Sequence, residues 1–314
     1  MRPLRPLVVL ACAVAGVVPV GAQSPGAPAA PGPKVGGYLQ ARFEDVRDSA
    51  LFFLNRARLG VEGAAAPWAT YKLQVELRNL GGSTTPATVA ATDLFVALHH
   101  GAWRGVAGQF KVPFSLEEYT SLSTLELPDR SLIVTAQVPR RDVGAMVEWR
   151  PAALLLQAGV FNGEGANRAS NPDKKMSYAA RLVATPARGF DVGGAVATYP
   201  DSTWWGVQAA YRREPWTGRA EFLRRERLGA AADHSVGWYA QAAYLVARNG
   251  LQVIGRVEQY EPSVAAGVET GYTGGAQYLF RGDDLKLQAS YTAYGGTGTA
   301  VTHNPVVIQL QVRF

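Results

Sequence analysis

What most constrains this chain is a two-residue rhythm. From Val35 to Phe314, apolar residues alternate with polar or small ones in segments separated by Gly, Pro, Asn and Asp clusters, the pattern of half-buried β-strands joined by turns. In one segment Tyr71, Leu73, Val75 and Leu77 oppose Lys72, Gln74, Glu76 and Arg78; in another Leu285, Leu287, Ala289 and Tyr291 oppose Lys286, Gln288, Ser290 and Thr292. Strand starts fall near residues 35, 51, 68, 91, 102, 142, 152, 176, 188, 203, 216, 235, 251, 268, 284 and 304, sixteen in all.

So many antiparallel strands fit either stacked soluble sandwiches or one closed barrel. A sandwich turns its apolar faces inward, whereas a membrane barrel turns them outward and rings them with aromatics near the strand ends. Trp68, Trp149, Trp205, Tyr211, Trp216, Trp238, Tyr244 and Tyr291 lie at or near such ends. Tight connections near residues 150–151, 187–189, 214–215, 248–250 and 282–284 contrast with longer ones at 112–141, 162–175, 228–234 and 295–303, the short-turn, long-loop asymmetry of outer-membrane barrels. The chain ends in VVIQLQVRF, an amphipathic strand stopping at Phe314 that can close on the first strand and leave no free edge. The expected fold is all-β, a transmembrane antiparallel barrel of about 16 strands. Composition agrees: the chain is 47% hydrophobic, yet its mean hydropathy is -0.03, because each lipid-facing residue is followed by one facing water. No apolar run of about 18 residues follows the N-terminus, which excludes a helical polytopic protein.

Residues 1–22 read as a signal peptide: Arg2 and Arg5, an apolar stretch from Leu7 to Val20, then small residues. Residues 23–34, rich in Pro, Gly and Ala, form a flexible tether, and 35–314 form the barrel. The single cysteine, Cys12, lies within the signal, so the mature chain holds itself together without disulfides. Removing the signal leaves 29 basic against 25 acidic residues, too small a surplus to suggest a nucleic-acid partner.

Several segments resemble the phosphate-selective porins of the O and P type: GYLQARFE at 37–44, FLNRARLGVEG at 53–63, GQFKVPFSLEE at 108–118, RRDVGAMVEW at 140–149, FNGEGAN at 161–167 and YAARLVATP at 178–186. The resemblance runs from Gly37 to Phe314. It implies a 16-stranded homotrimeric channel of the bacterial outer membrane, with a long third loop folded into the lumen and basic side chains guiding anions. It also implies that Phe314 is the signal read by the barrel-assembly machinery.

In a barrel the polar faces line the lumen. Arg56 and Arg58 share a face, with Arg42 and Lys72 on the neighbouring strands; Lys111 ends the fifth strand, and Arg150 and Arg181 lie farther round. These seven are the expected anion guides, since guanidinium forks suit phosphate-like oxygens. The same faces carry Glu44, Glu62, Glu76, Asp93, Glu148, Glu214, Glu221, Glu258 and Glu269, so a lattice of cross-strand ion pairs is the competing reading of the bases. The long segment 112–141 carries Glu117 and Glu118 against Arg130, Arg140 and Arg141, the expected constriction residues. Catalytic, metal and cofactor sites are not expected: adjacent His99 and His100 point to opposite faces and cannot share a metal. The leading expectation is passive diffusion of small anionic or polar solutes, with the outer face on lipid. Its rival is a plugged structural or surface-binding barrel.

Overall fold

The computed structural model describes residues 32–46, 49–78, 88–168, 170–229, 233–246, 250–298 and 304–314. The expected signal peptide and most of the tether lie outside the described residues, as do parts of the connections after residues 228, 246 and 298.

The first five strands are β1 (Lys34–Val46), β2 (Ser49–Ala66), β3 (Ala69–Arg78), β4 (Thr88–His100) and β5 (Trp103–Lys111). After the β5–β6 loop, which carries helices α1 (Leu116–Tyr119) and α2 (Leu132–Gln137), come β6 (Arg141–Trp149), β7 (Leu154–Phe161), β8 (Ser177–Ala187), β9 (Phe190–Tyr199) and β10 (Ser202–Arg213). The remainder are β11 (Trp216–Arg227), β12 (His234–Leu245), β13 (Leu251–Glu261), β14 (Glu269–Asp283), β15 (Leu285–Gly296) and β16 (Val306–Arg313). The sequence-derived starts agree with these, the largest difference being at β4, expected near 91 and observed at Thr88.

Each strand pairs antiparallel with its sequence neighbours, and β1 closes on β16 from Tyr38 opposite Arg313 to Asp45 opposite Val306. Phe314 extends this seam: its N–H donates to the Gly37 carbonyl (3.1 Å) and its carbonyl accepts from Gly37 N–H (3.0 Å). Closure pairs every edge, so no strand presents unmatched backbone groups to lipid. Among the described residues no helix is long and apolar enough to cross a membrane; the strands do that.

The faces are inverted relative to a water-soluble protein. Leu39, Leu59, Leu94, Leu182, Val207, Ile308 and Leu310 are exposed, while Gln40, Gln109, Gln157, Gln208, Gln241, Gln288, Gln309 and Gln311 are buried. Aromatics cluster at the ends of the outer face. Trp103 stacks on Trp149 (centroids 5.6 Å apart) and Trp216 packs against Tyr244 (4.6 Å) at the end with the short turns, and Trp205 meets Phe222 (5.5 Å) toward the loops. Such rings suit the interface between hydrocarbon and headgroups.

Candidate functional site

The lumen is shaped by the β5–β6 loop, 112–140, which folds inward and crosses it. No strand pattern marks this segment in the sequence, and its two helices are too short to form alone; tertiary partners hold them. At the start of α1 the Glu221 carboxylate, from β11 on the far wall, accepts from Ser115 Oγ (3.0 Å), Leu116 N–H (2.8 Å), Glu117 N–H (2.7 Å) and Tyr239 Oη (2.8 Å). The first-turn amides, which have no partner within the helix, are thereby satisfied. At its other end Lys111 Nζ donates to the Glu118, Tyr119 and Thr120 carbonyls (2.5, 3.2 and 3.0 Å). Arg130 donates to those of Glu117, Glu118 and Thr120 and pairs with the Glu118 carboxylate at 3.1 Å. Anion at the N-terminus and cations at the C-terminus both complement the backbone dipoles. Burial lowers the Arg130 guanidinium below the usual arginine range, against the pull of Glu118 and Glu117.

The second half of the loop is anchored similarly. Glu117 accepts from Ser131 N–H and Oγ (both 2.8 Å), and Glu258 accepts from Leu132 N–H (2.5 Å) while pairing with Arg256 at 3.2 Å. Ile133 and Val134 of α2 are fully buried in an apolar cluster inside the barrel with Phe114, Phe161, Trp204, Leu223 and Tyr239. The approach is close: a Cβ at Gly237 on β12 would lie 2.5 Å from Ile133 Cδ1, and one at Gly275 on β14 would lie 2.7 Å from Leu127 Cδ2. Between the helices the chain touches β16, β15, β11 and β1 in turn. Gln311 donates to the Ser123 carbonyl (2.9 Å), Lys286 to that of Leu125 (2.8 Å), Arg219 pairs with Glu126, and Arg42 of β1 pairs with Asp129.

The loop thus meets the wall at β5, β7, β8, β10 to β16 and β1, and leaves space against β2 to β4. A cavity of about 610 Å³ there is lined by Arg56, Arg58, Glu76, Thr92, Glu118, Leu122, Asp129, Arg130, Arg140 and Arg141 among others. A second space, about 420 Å³ toward the short turns, is bounded by Lys34, Tyr38, Lys72, Ser121, Ser123 and Arg313. Around the first space five arginines face three carboxylates. Arg56 Nη1 and Arg58 Nε both bond Glu76 (3.1 and 2.9 Å), so two cations share one acid. Arg141 bonds Asp93 (2.7 Å). Arg140 donates to the Thr135 carbonyl (2.8 Å) and has no ion pair among the described residues.

The expected anion guides therefore separate. Arg42, Arg56, Arg58 and Lys72 face inward on the β1 to β3 wall, Lys72 weakly placed between Glu62 (3.8 Å) and Asp93 (3.9 Å). Lys111 is taken up by the loop's carbonyls. Arg181 is covered: its guanidinium lies 5.0 Å from the Tyr119 ring and donates to Gln157 and Gln208. Arg150 lies past the end of β6, in the turn, where it pairs with Glu148 (3.1 Å) at the mouth. Arg141, expected within the loop, opens β6 because it pairs with Lys111 across the ladder. Of the constriction residues, Glu118, Arg130, Arg140 and Arg141 border the open space, and Glu117 is buried as an anchor. Sequence reasoning missed Asp129 as a bridge and Asn167 as a contact of the β7–β8 loop. The Asn amid glycines in FNGEGAN is the one signal for the latter.

A closed sixteen-stranded barrel with an inward-folded loop is the architecture of outer-membrane diffusion channels. The model of the family "Phosphate-selective porin O and P" matches residues 36–203 and 191–314, and the chain belongs to that porin family, whose place is the bacterial outer membrane. No curated sequence matches the chain. Among solved structures it is similar to the outer-membrane protein OmpT of Vibrio cholerae, in-vitro folded and in trimer form. That match has TM-score 0.67 and 11% identity, covering 90% of this chain and 99% of that one. It is similar also to a mutant of the Rh. blastica porin, with TM-score 0.65 and 14% identity over 90% and 100% of the respective chains.

Proposed function

We propose that this porin passes small solutes by diffusion with a mild preference for anions, phosphate-like ones included. The observation that supports this is the five-to-three excess of arginine over carboxylate around the space beside the loop. Because Arg56 and Arg58 share Glu76 and Arg140 has no carboxylate partner among the described residues, positive charge is left for a passing anion. Most other arginines are already paired, so the field favours anions without binding one tightly; in a wet bore such charges act over about 8 Å. The channel is read as a homotrimer, in keeping with the trimer form of the Vibrio cholerae protein, and its outer face as lipid-covered. It is further read as exported through cleavage of residues 1–22 and assembled through Phe314, which lies exposed at the seam. The test is the zero-current potential in a KCl gradient. The dilute side should turn negative, and Arg56→Ala with Arg58→Ala should move the potential toward zero. Cation preference, or no change in the double variant, would refute the anion reading.

A further inference from the structure

The start of the β7–β8 loop, residues 163–167, also turns inward. Its residues Gly165 and Ala166 line the same space as Arg56, Arg58, Arg140 and Arg141. Two attachments bring them there. The loop's base is held by Asp142, fully buried at the start of β6, which accepts from Gly163 N–H (2.9 Å). Its inward tip is held by Asn167. That side chain makes a two-way contact with the β4 backbone, Nδ2 donating to the Ala91 carbonyl and Oδ1 accepting from Ala91 N–H, both at 3.1 Å. Its N–H donates to Gln109 Oε1 (2.5 Å) on β5. Gln109 is itself fixed, donating to the Ala91 (2.9 Å) and Thr92 (2.8 Å) carbonyls. Asn167 has φ 64°, a left-handed conformation that asparagine tolerates better than most residues. Gly165 has φ 83°, and a Cβ there would meet open space; of the three residues between the two attachments, Gly165 and Ala166 line the passage, while Glu164 lies 3.9 Å from the Arg168 guanidinium.

We propose that this loop forms the outer lip of the anion passage, with Ala166 a specificity-determining position and Asn167 the positioning residue that holds it over the arginines. The proposal rests on the reading of the lumen as a conducting, anion-preferring channel. If Ala166 borders the ion path, a charge placed there is felt by every permeating ion; one unit charge at about 8 Å in water, screened over about 10 Å at 0.1 M salt, changes the anion-to-cation ratio about twofold. On an idle surface loop the same charge would act on nothing.

Zero-current potential and single-channel conductance, measured at about 0.1 M KCl where screening extends over about 10 Å, test this. Ala166→Glu should lower the anion-to-cation permeability ratio about twofold and Ala166→Arg should raise it. Asn167→Ala should raise conductance and shrink the effect of an added Ala166→Glu by half or more. Asn167→Asp, which keeps the acceptor for Ala91 N–H and a tolerance of positive φ, should restore most of the parent conductance. Unchanged selectivity in both Ala166 variants of a conducting parent refutes this proposal alone. A parent that never opens refutes the channel reading and this proposal with it.

Discussion

The seat of α1 on Glu221 offers a direct way to disturb the lumen without touching its open side. Glu221→Gln retains the shape and one acceptor oxygen but places an NH₂ against a main-chain N–H and removes the charge from the remaining contacts. Hydrogen bonds to a charged group contribute about 1.5–3 kcal/mol each, and four converge on this carboxylate. Losing one contact and weakening the others costs about 3 kcal/mol on that scale. This shifts the balance between seated and released α1 by about two powers of ten. The remaining anchors, Glu117 on Ser131 and Glu258 on Leu132, keep the rest of the loop attached. A freed α1 can enter the space beside β2 to β4. Planar-bilayer recordings should therefore show brief partial closures and greater open-channel noise than the parent, and the added Glu258→Gln should deepen both. A Glu221→Gln channel as quiet and as conductive as the parent would show that this carboxylate does not seat the loop.

Other outcomes follow from the same geometry. Lys111→Met removes the ammonium that satisfies three carbonyls at the end of α1. It should lower the detergent unfolding temperature and, because the Lys111 charge is not on the open side, leave ion selectivity within error of the parent; a marked selectivity change would return Lys111 to the anion path. Leu182→Arg places a charge on the lipid face of β8, where Leu182 is exposed. It should cost about 2–4 kcal/mol near the bilayer midplane, read as reduced folding yield in vesicles with little effect in detergent. Deleting Phe314 removes the pair of hydrogen bonds to Gly37 at the seam and should slow assembly into membranes; unchanged assembly kinetics would refute its role there.

The strands and the orientation of their faces are legible in the sequence because a barrel wall repeats a local rule: Ile308 and Leu310 meet lipid while Gln309 and Gln311 meet the lumen. The inward direction of Arg42, Arg56, Arg58 and Arg181 follows from the same alternation. What alternation cannot supply is which inward side chains remain open. Lys111 and Arg181 face inward as expected, yet both are covered by α1, and α1 owes its place to Glu221, about a hundred positions later in the chain. Its four residues carry no periodicity from which a helix could be read. Asp129 and Asn167 have the same origin: each acts through a partner from a strand remote in sequence, Arg42 for one and the Ala91 backbone for the other. The candidate site is thus assembled by the loops across the wall, whereas the wall itself is written locally.

The central claim is that the inward-folded loop narrows the lumen without plugging it. Single-channel recording of the refolded protein in a planar bilayer tests this most directly. Discrete, long-lived openings with conductance proportional to salt are the predicted result. A protein that inserts as a folded barrel, shown by resistance to unfolding in cold detergent, and yet gives no openings would contradict it and return the barrel to the plugged reading.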